Sequence, residues 1–131
     1  MDTHRDEQVL QLRPDIPSID LNRAVSEAER FQNQTVRPIV KFQHDLLLKV
    51  FQANFDSKKK SLEGLSSDEK SELIYLTIQK DRKLASGLTS LVVALFTGIE
   101  FKTYLTIKSE ISKRIIQIIK ERIASVYLAN H

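Results

Sequence analysis

The fold of this chain is decided by residues 97–129, which read TGIEFKTYLTIKSEISKRIIQIIKERIASVYLA. Isoleucine recurs in this stretch at spacings of three and four, which is the repeat of one face of an α-helix. Two neighbouring rows result, and together they form an unusually wide apolar stripe. These isoleucine rows consist of Ile111, Ile115, Ile116, Ile118, Ile119 and Ile123.

A stripe of this width needs more than one neighbour, because a single partner helix covers only a narrow seam. The cover is either two helices of the same chain, or one helix and a second chain. The stretch itself predicts one long helix or two stacked helices. A break near Lys108 and Ser109 is expected in the second case, because the apolar pattern changes phase there.

The composition favours helices throughout the chain. Only three glycines and three prolines interrupt its 131 residues, which is too few for a protein rich in β-hairpins. Hydrophobic residues make up 41% and charged residues 28%, which is typical of a globular domain. We therefore predict an all-α fold, an irregular bundle of five or six helices that ends in the long C-terminal helix or helices.

The first seventeen residues differ from the rest, because they contain Pro14 and Pro17 and show no sustained hydrophobic repeat. We predict a flexible N-terminal arm over residues 1–17 and a single helical domain over residues 18–131. A first helix is expected to begin after Ser18 or Asp20 and to end near residue 34. Pro38 then either starts a new helix or kinks a longer one.

Helix starts are visible further along the chain. Ser66 and Glu69 have the spacing of a capping box, and so do Thr97 and Glu100. Asp81 is placed to cap the helix between them. That helix contains Gly87 on its apolar face, so a second helix backbone is expected to approach closely there, since glycine otherwise weakens a helix.

Several protein classes are excluded or disfavoured. The chain lacks cysteine, so disulfides and thiolate chemistry are excluded. Its first residues are polar, and no apolar run approaches the roughly 20 residues of a membrane-spanning helix. We expect a cytoplasmic protein that does not enter the membrane.

The polar residues that stand out are Gln43 and His44, which follow the apolar repeat of the second predicted helix. A buried polar pair needs hydrogen-bond partners, and the simplest interpretation is that the bundle supplies them. The alternative is a ligand site, with Arg37 converging on the same region.

No catalytic, cofactor or metal residues are predicted. The chain has three histidines, and His4 and His131 lie near the ends, so His44 has no internal partner for a metal site. Glycine-rich phosphate loops and nucleophile motifs are also missing from the sequence.

The net charge of +3 is concentrated in the second half of the chain. Basic residues there include Lys102, Lys108, Lys113, Arg114, Lys120 and Arg122. Such a face can contact nucleic-acid phosphates, but interspersed glutamates make a solvated helix face the simpler interpretation.

Three segments resemble a family of small helical proteins of Bacteroidetes. They are FQNQTVRPIVKFQHDLLL from Phe31, FTGIEFKTY from Phe96, and RIIQ from Arg114. The resemblance covers about residues 30–128 and implies a bacterial protein without an established function. Some members carry the name glyoxalase, which implies a βαβββ metalloenzyme. This sequence contradicts that name, because it lacks alternating strand patterns and a second internal histidine.

The sequence therefore favours a non-catalytic helical interaction module that self-associates, as a homodimer through the C-terminal helix. Another protein partner is compatible with the same features. Two alternatives remain open. One is a nucleic-acid-binding regulator or accessory factor that uses the basic C-terminal half, and the other is a small-ligand binder that uses the region of Gln43 and His44.

Overall fold

The computed structural model describes residues 3–15 and 26–129, and all regular structure within these ranges is helical. The elements in chain order are α1 (Thr3–Gln11), α2 (Glu27–Phe31), a π segment (Gln32–Val36), α3 (Arg37–Phe42), α4 (His44–Ser57), α5 (Ser67–Lys80), α6 (Arg82–Val93), α7 (Gly98–Thr106) and α8 (Lys108–Ala129). The all-α prediction is confirmed, including the long C-terminal helix. None of the helices in the described ranges is both long enough and apolar enough to span a bilayer.

Helix α8 is the element around which the others pack. It contacts α2, the π segment and α3 along one side, and α4 to α7 along the rest. A single residue, Ile107, separates it from α7, and the Ile107 amide still donates to the carbonyls of Thr103 and Tyr104. The break therefore lies beside the predicted position, and the C-terminal region consists of two helices.

The isoleucine rows form the core of this chain and not a dimer face. Ile111, Ile115, Ile119 and Ile123 are fully buried, and Ile118 is 7% exposed. Ile116 is partly buried against the same core. The predicted dimer face at these residues is therefore wrong. The stripe is wide because helices of the same chain cover it from several sides.

The N-terminal arm also differs from its prediction. Residues 3–11 form α1, and Val9 is buried against the body. Arg5 donates to the carbonyls of Ala94 and Phe96, and Arg13 forms an ion pair with Glu100. Residues 3–15 therefore lie on the helical body, because polar contacts with the α6–α7 turn hold them there. Residues 16 and 17 lie outside the described ranges.

The region around Pro38 combines the two predicted alternatives. The predicted helix start at Ser18 or Asp20 lies outside the described residues, and α2 begins after Ser26, whose hydroxyl accepts from the Glu29 amide at 3.0 Å. The helical path then widens into the π segment before Pro38 enters the first turn of α3. A proline ring clashes with the carbonyl four residues earlier in a regular α-helix, so the widening occurs where the proline needs space.

The predicted helix starts at Ser66, Asp81 and Thr97 are confirmed. Both capping boxes form: the Ser66 and Thr97 hydroxyls accept from the amides of Glu69 and Glu100, and each carboxylate accepts from the capping residue's own amide. Asp81 caps α6 by accepting from the Leu84 amide at 3.1 Å. These motifs depend on residues three apart and therefore form without long-range help.

The explanation offered for Gly87 is wrong. This glycine is exposed, and a Cβ added to it would meet no atom within 4 Å, so no second backbone approaches it.

Alanine at position 87 is therefore expected to stabilise the protein by about 0.5–1 kcal/mol, because alanine loses less backbone entropy in a helix. Urea unfolding measures the change. Gly64 is the matched control: it also has open space but a φ of +80°, so Gly64→Ala is expected to destabilise. Destabilisation by Gly87→Ala would contradict the open surroundings seen here.

Candidate functional site

Gln43 joins two helices through its side chain. It lies between α3 and α4, where the backbone departs from helical geometry at φ −86° and ψ 5°. Its side-chain amide donates to the Leu91 carbonyl at 2.8 Å, which ties this junction to α6. Gln43 is therefore a partly buried polar side chain that bonds to α6, whereas its neighbour His44 contacts a different helix.

His44 is half-buried and contacts α8. Its Nδ1 lies 3.1 Å from Nη1 of Arg122. Because a guanidinium can only donate, Nδ1 is the acceptor in this contact. The first residue of α4 thereby positions a cation on α8, across a separation of 78 residues in the sequence.

Arg37 lies at the start of α3, on the same side of the molecule as Arg122. Its Nε donates to Oδ1 of Asn33 at 3.2 Å, one turn earlier in the chain. Arg37 and His44 were both predicted as site residues. His44 bonds to Arg122, and Arg122 lines the same cavity as Arg37.

Two adjoining cavities separate the π segment and α3 from α8, and we term them together the arginine cleft. One has a volume of about 520 Å³ and the other about 310 Å³, and both are lined by Arg37, Ile118 and Glu121. The larger one is also lined by Gln32, Glu110, Lys113, Arg114 and Gln117, and the smaller one by Arg122 and Ser125.

The charges of the arginine cleft are unevenly paired. Arg114 donates to Gln32 and to Glu110, each at 3.0 Å, so its charge is largely compensated. Glu121 accepts from the Gln117 amide at 3.0 Å. Within the described ranges, neither Arg37 nor Arg122 lies within ion-pair distance of a carboxylate.

Burial, and then the nearby charge of Arg37, lower the pKa of Arg122 below its ordinary value. A guanidinium stays protonated in proteins even so. The lowered pKa means that Arg122 carries its charge at some cost in free energy. A bound anion would relieve this cost.

A second surface lies between α6 and α7, and we term it the α6–α7 groove. Its volume is about 520 Å³. Its lining includes small residues of α6 (Ala85, Ser86, Thr89 and Ser90) and larger apolar residues (Val93, Phe101, Tyr104, Leu105 and Ile116). Phe101 and Leu105 remain 43% and 53% exposed.

Among residues 3–15 and 26–129, no three histidine, aspartate or glutamate side chains come close enough together to hold a metal ion. The basic residues of α8 do not form a continuous face either. Glu110 and Glu121 lie among them, in hydrogen bonds with Arg114 and Gln117.

Sequence reasoning missed the residues that complete the cleft. Arg122 was grouped with the other cations of α8, and Gln32 was not singled out. One signal for Arg122 is its position four residues after Ile118, at the edge of the buried stripe. A cation at such an edge is half-buried and therefore more constrained than one on the solvent face.

Comparisons of this chain with protein-family models, with curated proteins and with solved structures found no match.

Proposed function

We propose that this protein is a non-catalytic helical interaction module that self-associates as a homodimer through the α6–α7 groove. The observation that carries the proposal is the exposure of Phe101 and Leu105, at 43% and 53%, beside this groove. The two side chains lie four residues apart and so share one face of α7. The groove beside them has a mixed lining, with apolar residues, small hydroxyl residues and one cation, Lys108. Exposed apolar side chains that lie together are a common feature of protein interfaces.

The second copy of this chain is the favoured partner because the surface is complementary to itself. It presents a protruding aromatic ring, Phe101, next to a floor of small residues on α6. A twofold interface brings the same patch of each copy together, so each ring can enter the groove of its partner. A heterologous protein partner would use the same residues.

The proposal relocates the interface from the buried members of the isoleucine rows, which are Ile111, Ile115, Ile118, Ile119 and Ile123. The remaining member, Ile116, is partly buried and lines the α6–α7 groove. We also propose that the protein is bacterial, that it is related to the Bacteroidetes family it resembles, and that it is located in the cytoplasm. The nucleic-acid alternative has less support, since carboxylates interrupt the basic residues of α8.

Replacing Phe101 by glutamate is expected to abolish self-association, because a charge in an apolar interface costs more than the contact gains. Light scattering across a wide concentration range measures the mass. Ile99→Glu is the matched control. Ile99 is 72% exposed on the same helix and is not part of the groove lining. Two residues of helix turn it about 200° away from Phe101.

A dimeric Ile99→Glu variant and a monomeric Phe101→Glu variant, both folded by circular dichroism, would support the proposal. A wild-type protein that remains monomeric at high concentration would overturn it. Equal loss of dimer in both variants would place the interface elsewhere.

A further inference from the structure

The arginine cleft contains two cations, Arg37 and Arg122, whose positive charges are not balanced by a carboxylate within ion-pair distance in the described part of the chain. Arg37 is fixed through its Nε by Asn33, and Arg122 through one terminal nitrogen by His44. The remaining terminal nitrogens have no hydrogen-bond partner among the described residues, and they are not among the side-chain atoms buried without a partner. These donors therefore stay accessible from the cleft.

Neither of the side chains that fix the two arginines is a carboxylate. Asn33 orients Arg37 through a side-chain oxygen, and His44 orients Arg122 through a ring nitrogen. Both contacts hold a guanidinium in place while leaving its positive charge available. A structural ion pair would instead use a carboxylate, as Glu110 does with Arg114 in the same cleft.

The net charge of the cleft indicates which ligand fits. Its lining has four basic side chains (Arg37, Lys113, Arg114 and Arg122) and two carboxylates (Glu110 and Glu121). Two positive charges are therefore in excess, which matches a phosphate monoester dianion. Guanidinium groups also present paired donors that suit the geometry of phosphate oxygens.

We propose that the arginine cleft binds the phosphate group of a small soluble phosphate monoester, held between Arg37 and Arg122. The larger cavity, at about 520 Å³, has a volume within the usual range for small-molecule sites and would receive the rest of the molecule. Gln32, Gln117 and Ile118 offer it polar and apolar contacts. This site is separate from the α6–α7 groove, and its test does not depend on self-association.

A nucleic-acid strand fits the cleft less well than a small molecule. Strand binding needs a basic track that follows successive phosphates. Here Glu110 and Glu121 lie in the cleft, so a strand that runs along it would meet two carboxylates.

The experiment is a titration of the full chain at constant ionic strength, in which the amide chemical shifts report binding. The probes are inorganic phosphate, phenyl phosphate, acetate and a short single-stranded oligonucleotide. We expect saturable shifts with both phosphates, centred on the π segment and α8, and much weaker binding of acetate. Arg37→Gln and Arg122→Gln should each weaken phosphate binding by roughly tenfold or more, the loss expected for a charge-assisted hydrogen bond.

Arg82→Gln is the matched control, because Arg82 is an exposed cation on α6 outside the cleft. The affinity of this variant for phosphate should equal that of the wild type. Thermal denaturation without phosphate checks folding. Arg37→Gln should unfold no lower than the wild type, since it removes a repulsion. If a variant does not fold, the wild-type titration decides alone.

Absence of saturable phosphate binding would overturn the proposal, as would equal affinity in the wild type and both cleft variants. Acetate that binds as tightly as phosphate would overturn the assignment to a dianion. Oligonucleotide binding without phosphate binding would overturn it in favour of a nucleic-acid ligand.

Discussion

Ile119→Ala is expected to lower the free energy of unfolding by about 3 kcal/mol, within the range for removing a large aliphatic side chain from a packed core. Ile119 is fully buried, and the helices around α8 leave no solvent path to it. Urea unfolding measures the loss, and an unchanged slope would show that the unfolded state is unaffected.

Ile116→Ala is the control for this prediction, because Ile116 lies on the same helix and is only partly buried. Its loss should be about 1 kcal/mol, which is usual for a partly covered position. The opposite ranking of the two variants would contradict the burial described for α8. An Ile119→Ala variant of unchanged stability that no longer dimerised would restore the isoleucine rows as an interface.

Breaking the ion pair between Arg13 and Glu100 is expected to cost a similar amount, about 3 kcal/mol, because the remaining charge is left largely buried. The Arg13 and Glu100 side chains are only 10% and 18% exposed, and Arg13 Nη2 lies 2.5 Å from Glu100 Oε1. Glu100 also accepts from the Thr35 hydroxyl and the Thr97 amide. Arg13→Ala and Glu100→Gln should each show the loss, and the double variant should lose less than their sum.

The same carboxylate predicts a dependence on pH. Burial raises the pKa of Glu100, but hydrogen bonds from Arg13, Thr97 and Thr35, together with the charge of Arg13, outweigh burial and place the pKa below its ordinary value. Its contribution to stability is therefore complete above the unfolded-state pKa of about 4.3 and is lost as pH falls through the folded pKa. Glu100→Gln should flatten this part of the stability profile.

The pair formed by Glu110 and Arg114 is the matched control. These side chains are 57% and 33% exposed and lie four residues apart on α8. Glu110→Gln should cost no more than about 0.5 kcal/mol, because solvent screens an exposed pair. If Arg13→Ala cost as little, α1 and the residues after it would not be held on the body as described.

The features that the sequence predicted correctly are local ones. Both capping boxes and the cap at Asp81 depend on residues three apart, so a short window contains all their determinants. The helical repeat of residues 111–123 likewise identified a buried stripe. It did not show whether helices of the same chain or a second chain cover the stripe, because periodicity describes one face of a helix and not what packs against it.

Long-range polar contacts account for the errors. The ion pair that holds the N-terminal residues joins positions 87 apart, and α1 has a single buried hydrophobic residue, Val9, as a local signal. The error at Gly87 has a different origin: the glycine lies on the exposed side of α6, at the edge of the apolar repeat and not on it.

The candidate site was predicted in part. Arg37 and His44 were named from their positions, and both contribute to the arginine cleft or its support. Arg122 was missed because its role depends on a contact across 78 residues. Gln43 was grouped with His44 as its neighbour in sequence, but the junction between α3 and α4 directs it to Leu91 instead.

The central position of α8 has a consequence for synthesis on the ribosome. Of the described helices, α8 leaves the exit tunnel last, yet it supplies the surface on which α2 to α7 pack. Until its isoleucines emerge, the apolar faces that the earlier helices turn towards α8 have nothing to cover them. A nascent chain in this state is a substrate for holding chaperones, and the emergence of α8, rather than the appearance of the first helices, sets the start of productive folding.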